Sequence, residues 1–141
     1  MGPVSPVRIL CVDDNEEILW ALGVHFENQQ GFKVVGSLSS ATGLLTAVRA
    51  AKPDILVLDL DMAGKNPLEA LREVNRSGAL TRTVVFSGHL RADLIAQAMD
   101  AGAWGYVSKN DGEVALVAAI RDVMAGKVAW SPEVTSVIAE R

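Results

Sequence analysis

Short apolar runs rich in β-branched residues alternate with stretches of helical period along most of this chain. Segments 7–12, 33–38, 55–58, 83–86 and 104–107 read as five strands, each short and bounded by polar or turn-forming residues. Five helices are predicted between and after them. The first carries Ile18, Leu19, Leu22 and Phe26 on one face, with Glu16 and Glu17 near the positive end of its dipole. The second begins at Ser39 or Ser40, either of which suits an N-cap, and closes at Lys52 and Pro53. The third has the clearest start: Asn66 as N-cap, Pro67 in the first helical position and Glu69 three residues after the cap, with Gly78 at the exit. The fourth covers 92–99 and is stopped by Gly102. The fifth covers 113–125, started by Asn110 or Asp111 and ended by Gly126.

Five β-α repeats with short loops predict an α/β fold, a five-stranded parallel sheet with helices on both faces. In the doubly wound, flavodoxin-like order 2-1-3-4-5, the first and third strands are neighbours, and ligands bind beyond the carboxyl ends of the strands. The chemically capable residues fall there. Asp13 and Asp14 end the first run, Asp59 the third and Ser87 the fourth, while Lys109 follows the fifth. After Gly126 the repeat stops, and 127–141 reads as a linker or a C-terminal helical extension, with a short helix starting at Pro132. Residues 1–6, with Pro3, Ser5 and Pro6, read as a flexible N-terminus.

Composition narrows the classes. The 141 residues are half hydrophobic and 21% charged, enough for one domain with its own core and unlike a disordered chain. A net charge of -4 gives no basic footprint for nucleic acid or an anionic membrane surface. The single cysteine, Cys11, lies in an apolar run and reads as a small buried hydrophobe in a reducing compartment. The longest unbroken apolar stretch, 114–120, is far short of the roughly 20 residues a spanning helix needs. The N-terminus lacks the basic and long apolar regions of a signal peptide. The chain is expected to be soluble and cytoplasmic.

If the first and third strands are adjacent, Asp13, Asp14 and Asp59 crowd one pocket. Carboxylates at about 4 Å repel by several kcal/mol at a surface-like dielectric, so the cluster calls for a cation or a raised pKa. Oxygen ligands with room for water suit Mg²⁺. A carboxylate can also attack phosphorus and form an acyl phosphate, with the metal and a cation such as Lys109 offsetting charge on the transferring group. A Ser87 hydroxyl could hydrogen-bond a phosphoryl oxygen. Each residue has an ordinary alternative: helix-dipole partners for Asp13 and Asp14, a strand meeting solvent at Asp59, a turn at Ser87-Gly88, an exposed lysine at 109. Five such residues at four strand ends favour the joint reading.

The stretches Ile9-Leu10-Cys11-Val12-Asp13-Asp14-Asn15, Asp54-Ile55-Leu56-Val57-Leu58-Asp59-Leu60-Asp61-Met62, Val84-Val85-Phe86-Ser87-Gly88 and Ala101-Gly102-Ala103-Trp104-Gly105-Tyr106-Val107-Ser108-Lys109 resemble the receiver domain of two-component response regulators, over 7–126. The resemblance implies that Asp59 is phosphorylated by a histidine kinase, a phosphotransfer protein or a small phosphodonor. It implies Mg²⁺, with Mn²⁺ able to substitute, held by Asp13, Asp14, the Asp59 carboxylate and the Asp61 backbone carbonyl. It implies that Ser87 and Tyr106 shift together, Tyr106 turning inward, and that the chain is a switch rather than a multiple-turnover enzyme. Asp61 and His89 occupy positions that in this family flank the path of attacking water, and are expected to tune loss of the phosphoryl group; two solvated loop residues are the plain alternative. A second copy of the chain, meeting an exposed first-helix or fourth-helix face, is a further expected partner.

The pattern departs from the family at Ala63 and Pro67, which bears on the loop after Asp59. Asn110 follows Lys109 where the family often has proline. The region 102–106 and the tail Trp130-Ser131-Pro132-Glu133 are similar to the NarL/LuxR-type subgroup, whose output is a DNA-binding helix-turn-helix domain. Too few residues follow Glu133 for such a domain, so direct DNA binding is expected of a longer parent and not of this chain. Two rivals share single features. Asp59-Leu60-Asp61 also matches the nucleophile motif of haloacid-dehalogenase-type phosphohydrolases, but these place it in their first strand. A pseudo-receiver that works only as an interaction module would not need the acids, Ser87 and Lys109 together. An EF-hand start at Asp59, Asp61 and Gly64 fails because Ala63 and Ala70 stand where ligands are required.

Overall fold

The computed structural model describes residues 5–140; Met1 to Val4, part of the expected flexible terminus, and Arg141 lie outside the described residues. The chain runs β1 (Val7–Val12), α1 (Glu16–Glu27), β2 (Phe32–Leu38), α2 (Leu44–Ala51), β3 (Ile55–Leu58), α3 (Pro67–Arg76), β4 (Arg82–Ser87), α4 (Ala92–Asp100), β5 (Ala103–Ser108), a 3-10 turn (Lys109–Asp111), α5 (Gly112–Met124), β6 (Ala129–Trp130) and α6 (Pro132–Ala139). One parallel sheet holds all strands in the order β2-β1-β3-β4-β5-β6. The expected order 2-1-3-4-5 is present, extended by one strand.

Alternation along the strands divides the interior into two layers. Ile9, Cys11, Ile55, Val57, Val84, Phe86 and Val107 face α1 and α5, meeting Leu22, Phe26, Leu116 and Ile120. Leu10, Val12, Leu56, Leu58, Val85 and Tyr106 face the other way, meeting Leu44 and Val48 of α2, Leu71 and Val74 of α3, and Ile95 and Ala98 of α4. Both faces of the central strands are therefore apolar, and β3 is buried at every position. Each fully buried aliphatic side chain contributes roughly 1.5–3 kcal/mol, and this holds the strand ends in fixed register. No helix of the described residues is long and apolar enough to cross a membrane.

One expectation changes. Helix α2 starts at Leu44, after Gly43 in a left-handed conformation (φ 76°), and neither Ser39 nor Ser40 caps it. The Ser40 hydroxyl instead accepts from the Thr42 N–H, turning the chain once more before the helix. At the C-terminus the helix expected from Pro132 is present as α6, and what is added is a strand before it. Ala129–Trp130 pairs with Gly105 and Tyr106 as β6, and α6 buries Val134 in the layer that contains Tyr106. Gly105 makes this approach feasible, because a Cβ there would lie 2.9 Å from the Ala129 carbonyl oxygen.

Candidate functional site

Strand pairing carries the acids together. Register between β1 and β3 sets Val12 beside Leu58, so the residues that follow, Asp13 and Asp59, emerge side by side at the carboxyl edge. Asp59 N–H donates to the Val12 carbonyl (2.9 Å), tying the end of β3 to the acid pair. One carboxylate oxygen from each of Asp13, Asp14 and Asp59 lies within 4.8 Å of the others. Asp13 and Asp59 are buried and Asp14 is exposed. Asn15, the N-cap of α1, accepts from the Glu17 and Ile18 N–H groups, and its own N–H donates to Asp13 Oδ1 (2.9 Å). The start of α1 thus fixes the rotamer of Asp13.

Lys109 enters from the opposite side, at the end of β5. Its Nζ lies 2.8 Å from Asp13 Oδ2 and 3.4 Å from Asp59 Oδ1. Burial by itself would lower the lysine pKa, but its hydrogen bond to Asp13 and the two facing carboxylates outweigh that and hold it above its usual value. Asp59 is shifted the other way from an ordinary salt-bridged acid. Burial, then the Asp13 charge, raise its pKa above 3.8 in spite of Lys109. Its Oδ1 is the one buried side-chain oxygen or nitrogen without a hydrogen bond among the described residues. A buried carboxylate oxygen with only the Lys109 ion pair at 3.4 Å to answer it, beside two more acids, is the arrangement expected of a hard-cation site, and the all-oxygen donor set fits Mg²⁺.

A hollow of about 230 Å³ opens over these groups, lined by Asp13, Asp14, Asn15, Ile18, Asp59, Asp61, Gly88, His89 and Lys109. Asp61 and His89 meet across its mouth, Oδ2 to Nε2 at 3.0 Å, with both side chains exposed. Ser87 is fully buried behind the hollow, and its hydroxyl accepts from the His89 N–H (3.0 Å). Tyr106, expected to turn inward on phosphorylation, is already inside, and its hydroxyl donates to the His89 carbonyl (2.5 Å). Burial is the main reason its pKa is raised. His89 is therefore held by Ser87 at its N–H and by Tyr106 at its carbonyl, a link that no spacing in the sequence reveals. The part Asn15 plays is equally hidden; its signal in the sequence is an N-cap residue directly after two acids. A larger hollow of about 400 Å³ at the amino ends of the strands, beside Arg49, Lys52 and Leu80, gathers no such set.

Comparison with known proteins agrees with this geometry. The family model described as the response regulator receiver domain matches residues 9–121. The response regulator UvrY of Escherichia coli O6:H1 is 35% identical over 121 residues, covering 86% of this chain and 56% of UvrY. GacA of Pseudomonas aeruginosa is 32% identical over 133 residues, covering 94% and 62%. The crystal structure of a LuxR-family two-component response regulator from Aurantimonas sp. SI85-9A1 superposes with a TM-score of 0.90 at 33% identity, covering 96% of this chain and 97% of that one. The chain spans little more than half the length of the curated relatives it matches. A parallel sheet in the order 2-1-3-4-5, an acid cluster at its carboxyl edge and these matches lead to one conclusion: the chain belongs to the receiver domain family of response regulators.

Proposed function

We propose that the chain works as a phosphorylation-operated receiver in the cytoplasm, with Asp59 accepting a phosphoryl group from a histidine kinase or phosphotransfer protein. The observation that carries this reading is Asp59 Oδ1, buried, without a hydrogen bond, and placed between two other acids and Lys109. An Asp59 carboxylate oxygen attacks the phosphorus of phosphohistidine. The P–N bond breaks with its electron pair returning to the ring nitrogen, and a ring protonated on its other nitrogen leaves as neutral imidazole. The product is an acyl phosphate on Asp59.

Mg²⁺, or Mn²⁺ in its place, held by Asp13, Asp14, Asp59 and the Asp61 backbone carbonyl, supplies positive charge that offsets the acids and the charge on the transferring group. Asp13, pinned by the Asn15 N–H and by Lys109, keeps its orientation without reorganising. Lys109, which already reaches Asp13 and Asp59, donates to a phosphoryl oxygen. Ser87 leaves its contact with the His89 N–H to donate to the phosphoryl group, and this releases one of the two bonds holding His89. The 88–91 loop and the neighbouring face of α4 then change around Tyr106, which is already buried and keeps its hold on the His89 carbonyl. Asp61 and His89, paired at the mouth, set how readily water reaches the acyl phosphate.

The output lies with a partner surface, with a second copy, or with a DNA-binding domain in a longer parent, as the lengths of UvrY and GacA suggest. Intact-mass spectrometry after acetyl phosphate treatment tests the reading. One phosphoryl addition is expected in wild type with Mg²⁺ and none in Asp59→Asn or with EDTA. Equal labelling of wild type and Asp59→Asn would refute it.

A further inference from the structure

The tail 129–139 is tied to both sides of Lys109 by an exchange of helix caps. Ser131 stands in the N-cap position of α6, yet its side chain makes no capping bond to its own helix. Its Oγ instead accepts from the Ser108 N–H at 2.9 Å, a bond buried at both ends. Where β6 has ended, that hydroxyl takes the place of a backbone carbonyl in the β5 ladder, next to the Ser131 N–H donating to the Tyr106 carbonyl (3.2 Å). Asp111 mirrors this. It is the N-cap of α5 without a side-chain bond to α5, and its Oδ2 accepts from the Glu133 N–H of α6 (3.0 Å). Asn110 Nδ2 adds a bond to Glu133 Oε1 (3.2 Å).

Lys109 is thereby bracketed: residue 108 is held from one side, 110 and 111 from the other, and all three bonds come from the tail. Val134, fully buried in the Tyr106 layer, fixes the tail that supplies them. We infer that Ser131 is a positioning residue for Lys109: by holding the Ser108 peptide it sets the point from which the lysine reaches Asp13 and Asp59. No hydrogen bond or ion pair joins Ser131 to the Lys109 side chain, so the effect passes through the backbone. Ser131→Ala leaves the buried Ser108 N–H without a partner, and the turn relaxes to find one. Its consequence for phosphoryl transfer rests on the reading of Asp59 given above; its consequence for the Lys109 ion pairs does not.

Two measurements on the full chain decide the matter. In urea unfolding, the destabilisation caused by Lys109→Ala should fall by about half in a Ser131→Ala background, because the lysine is already misplaced there. In reaction with acetyl phosphate and Mg²⁺, Ser131→Ala should slow phosphorylation at saturating donor about tenfold, the cost of a misplaced charged group. Ser131→Thr, which keeps the acceptor oxygen, should restore the rate, and Asp111→Ala should slow it like Ser131→Ala. Val48→Ala, a core change in α2, should lose stability without slowing the reaction. Additive destabilisation by Ser131→Ala and Lys109→Ala, or a wild-type rate in Ser131→Ala, would overturn the inference. A non-additive pair in a wild type that takes up no phosphoryl group would uphold the positioning role and discard the phosphoacceptor reading.

Discussion

Removing the charge of Asp59 should make the metal-free protein more stable. The oxygens of Asp13, Asp14 and Asp59 that face one another lie within 4.8 Å. At an effective dielectric of about 20, each pair at that distance repels by about 3.5 kcal/mol. Lys109, 3.4 Å from Asp59, returns about 5 kcal/mol on the same scale. The Asp13 repulsion offsets most of this attraction, the exposed Asp14 adds only a screened remainder, and desolvation of the buried carboxylate, the largest cause of its raised pKa, tips the balance. Asp59→Asn keeps the shape and removes the charge, so a gain of about 2 kcal/mol is expected, or roughly 4–8 °C in Tm for a chain of this size. The raised pKa of Asp59 sets the pH dependence. The stability of the protonated form is fully present below the unfolded value of 3.8 and is lost as pH rises through the higher folded value. The advantage of Asp59→Asn should therefore be absent at the acid end and complete near neutrality. Mg²⁺ at about ten times its dissociation constant should add about 1.4 kcal/mol to wild type and much less to the variant. Thermal unfolding in EDTA and in Mg²⁺, across pH, reads all of this. A variant less stable than wild type in EDTA at neutral pH would refute the electrostatic argument.

Other changes test neighbouring parts of the structure. Lys109→Ala leaves two buried carboxylates facing each other and should cost about 3 kcal/mol in urea unfolding, with most of the loss recovered in the double variant with Asp59→Asn. Tyr106→Phe removes the bond to the His89 carbonyl; a loss of about 1 kcal/mol is expected, with faster amide exchange confined to the 88–91 loop. Asn66→Ala should cost about 1 kcal/mol through the lost cap on α3, without changing Mg²⁺ binding measured by calorimetry. Gly102→Ala combines a positive φ of 114° with a Cβ only 2.6 Å from the Asn75 side chain. It should lower Tm by several degrees, and Asn75→Ala should relieve part of that loss.

What the sequence determined by itself is the part governed by local rules. The four-residue apolar runs 9–12 and 55–58, bounded by turn signals, fit strands covered on both faces, and for β1 and β3 the predicted and observed limits coincide. The Asn66 side chain caps α3 by accepting from the Leu68 N–H of the same helix, with Pro67 in the first helical position, so that helix start was legible residue by residue. The position of Asp13, Asp14, Asp59 and Lys109 at one edge followed from parallel strands ending together. Tertiary structure decided what depends on partners distant in sequence. A two-residue strand has no period to detect, and β6 exists because Gly105 leaves room for it and β5 offers an open edge. The cap of α2 misled a local reading, because Gly43 turns the chain before it; the starts of α5 at Asp111 and α6 at Pro132 were legible, but not that Asp111 and Ser131 bond outside their own helices. The open oxygen of Asp59 and the double hold on His89 arise only when four strand ends converge, since hydrogen-bond satisfaction belongs to the assembled site and not to any one segment.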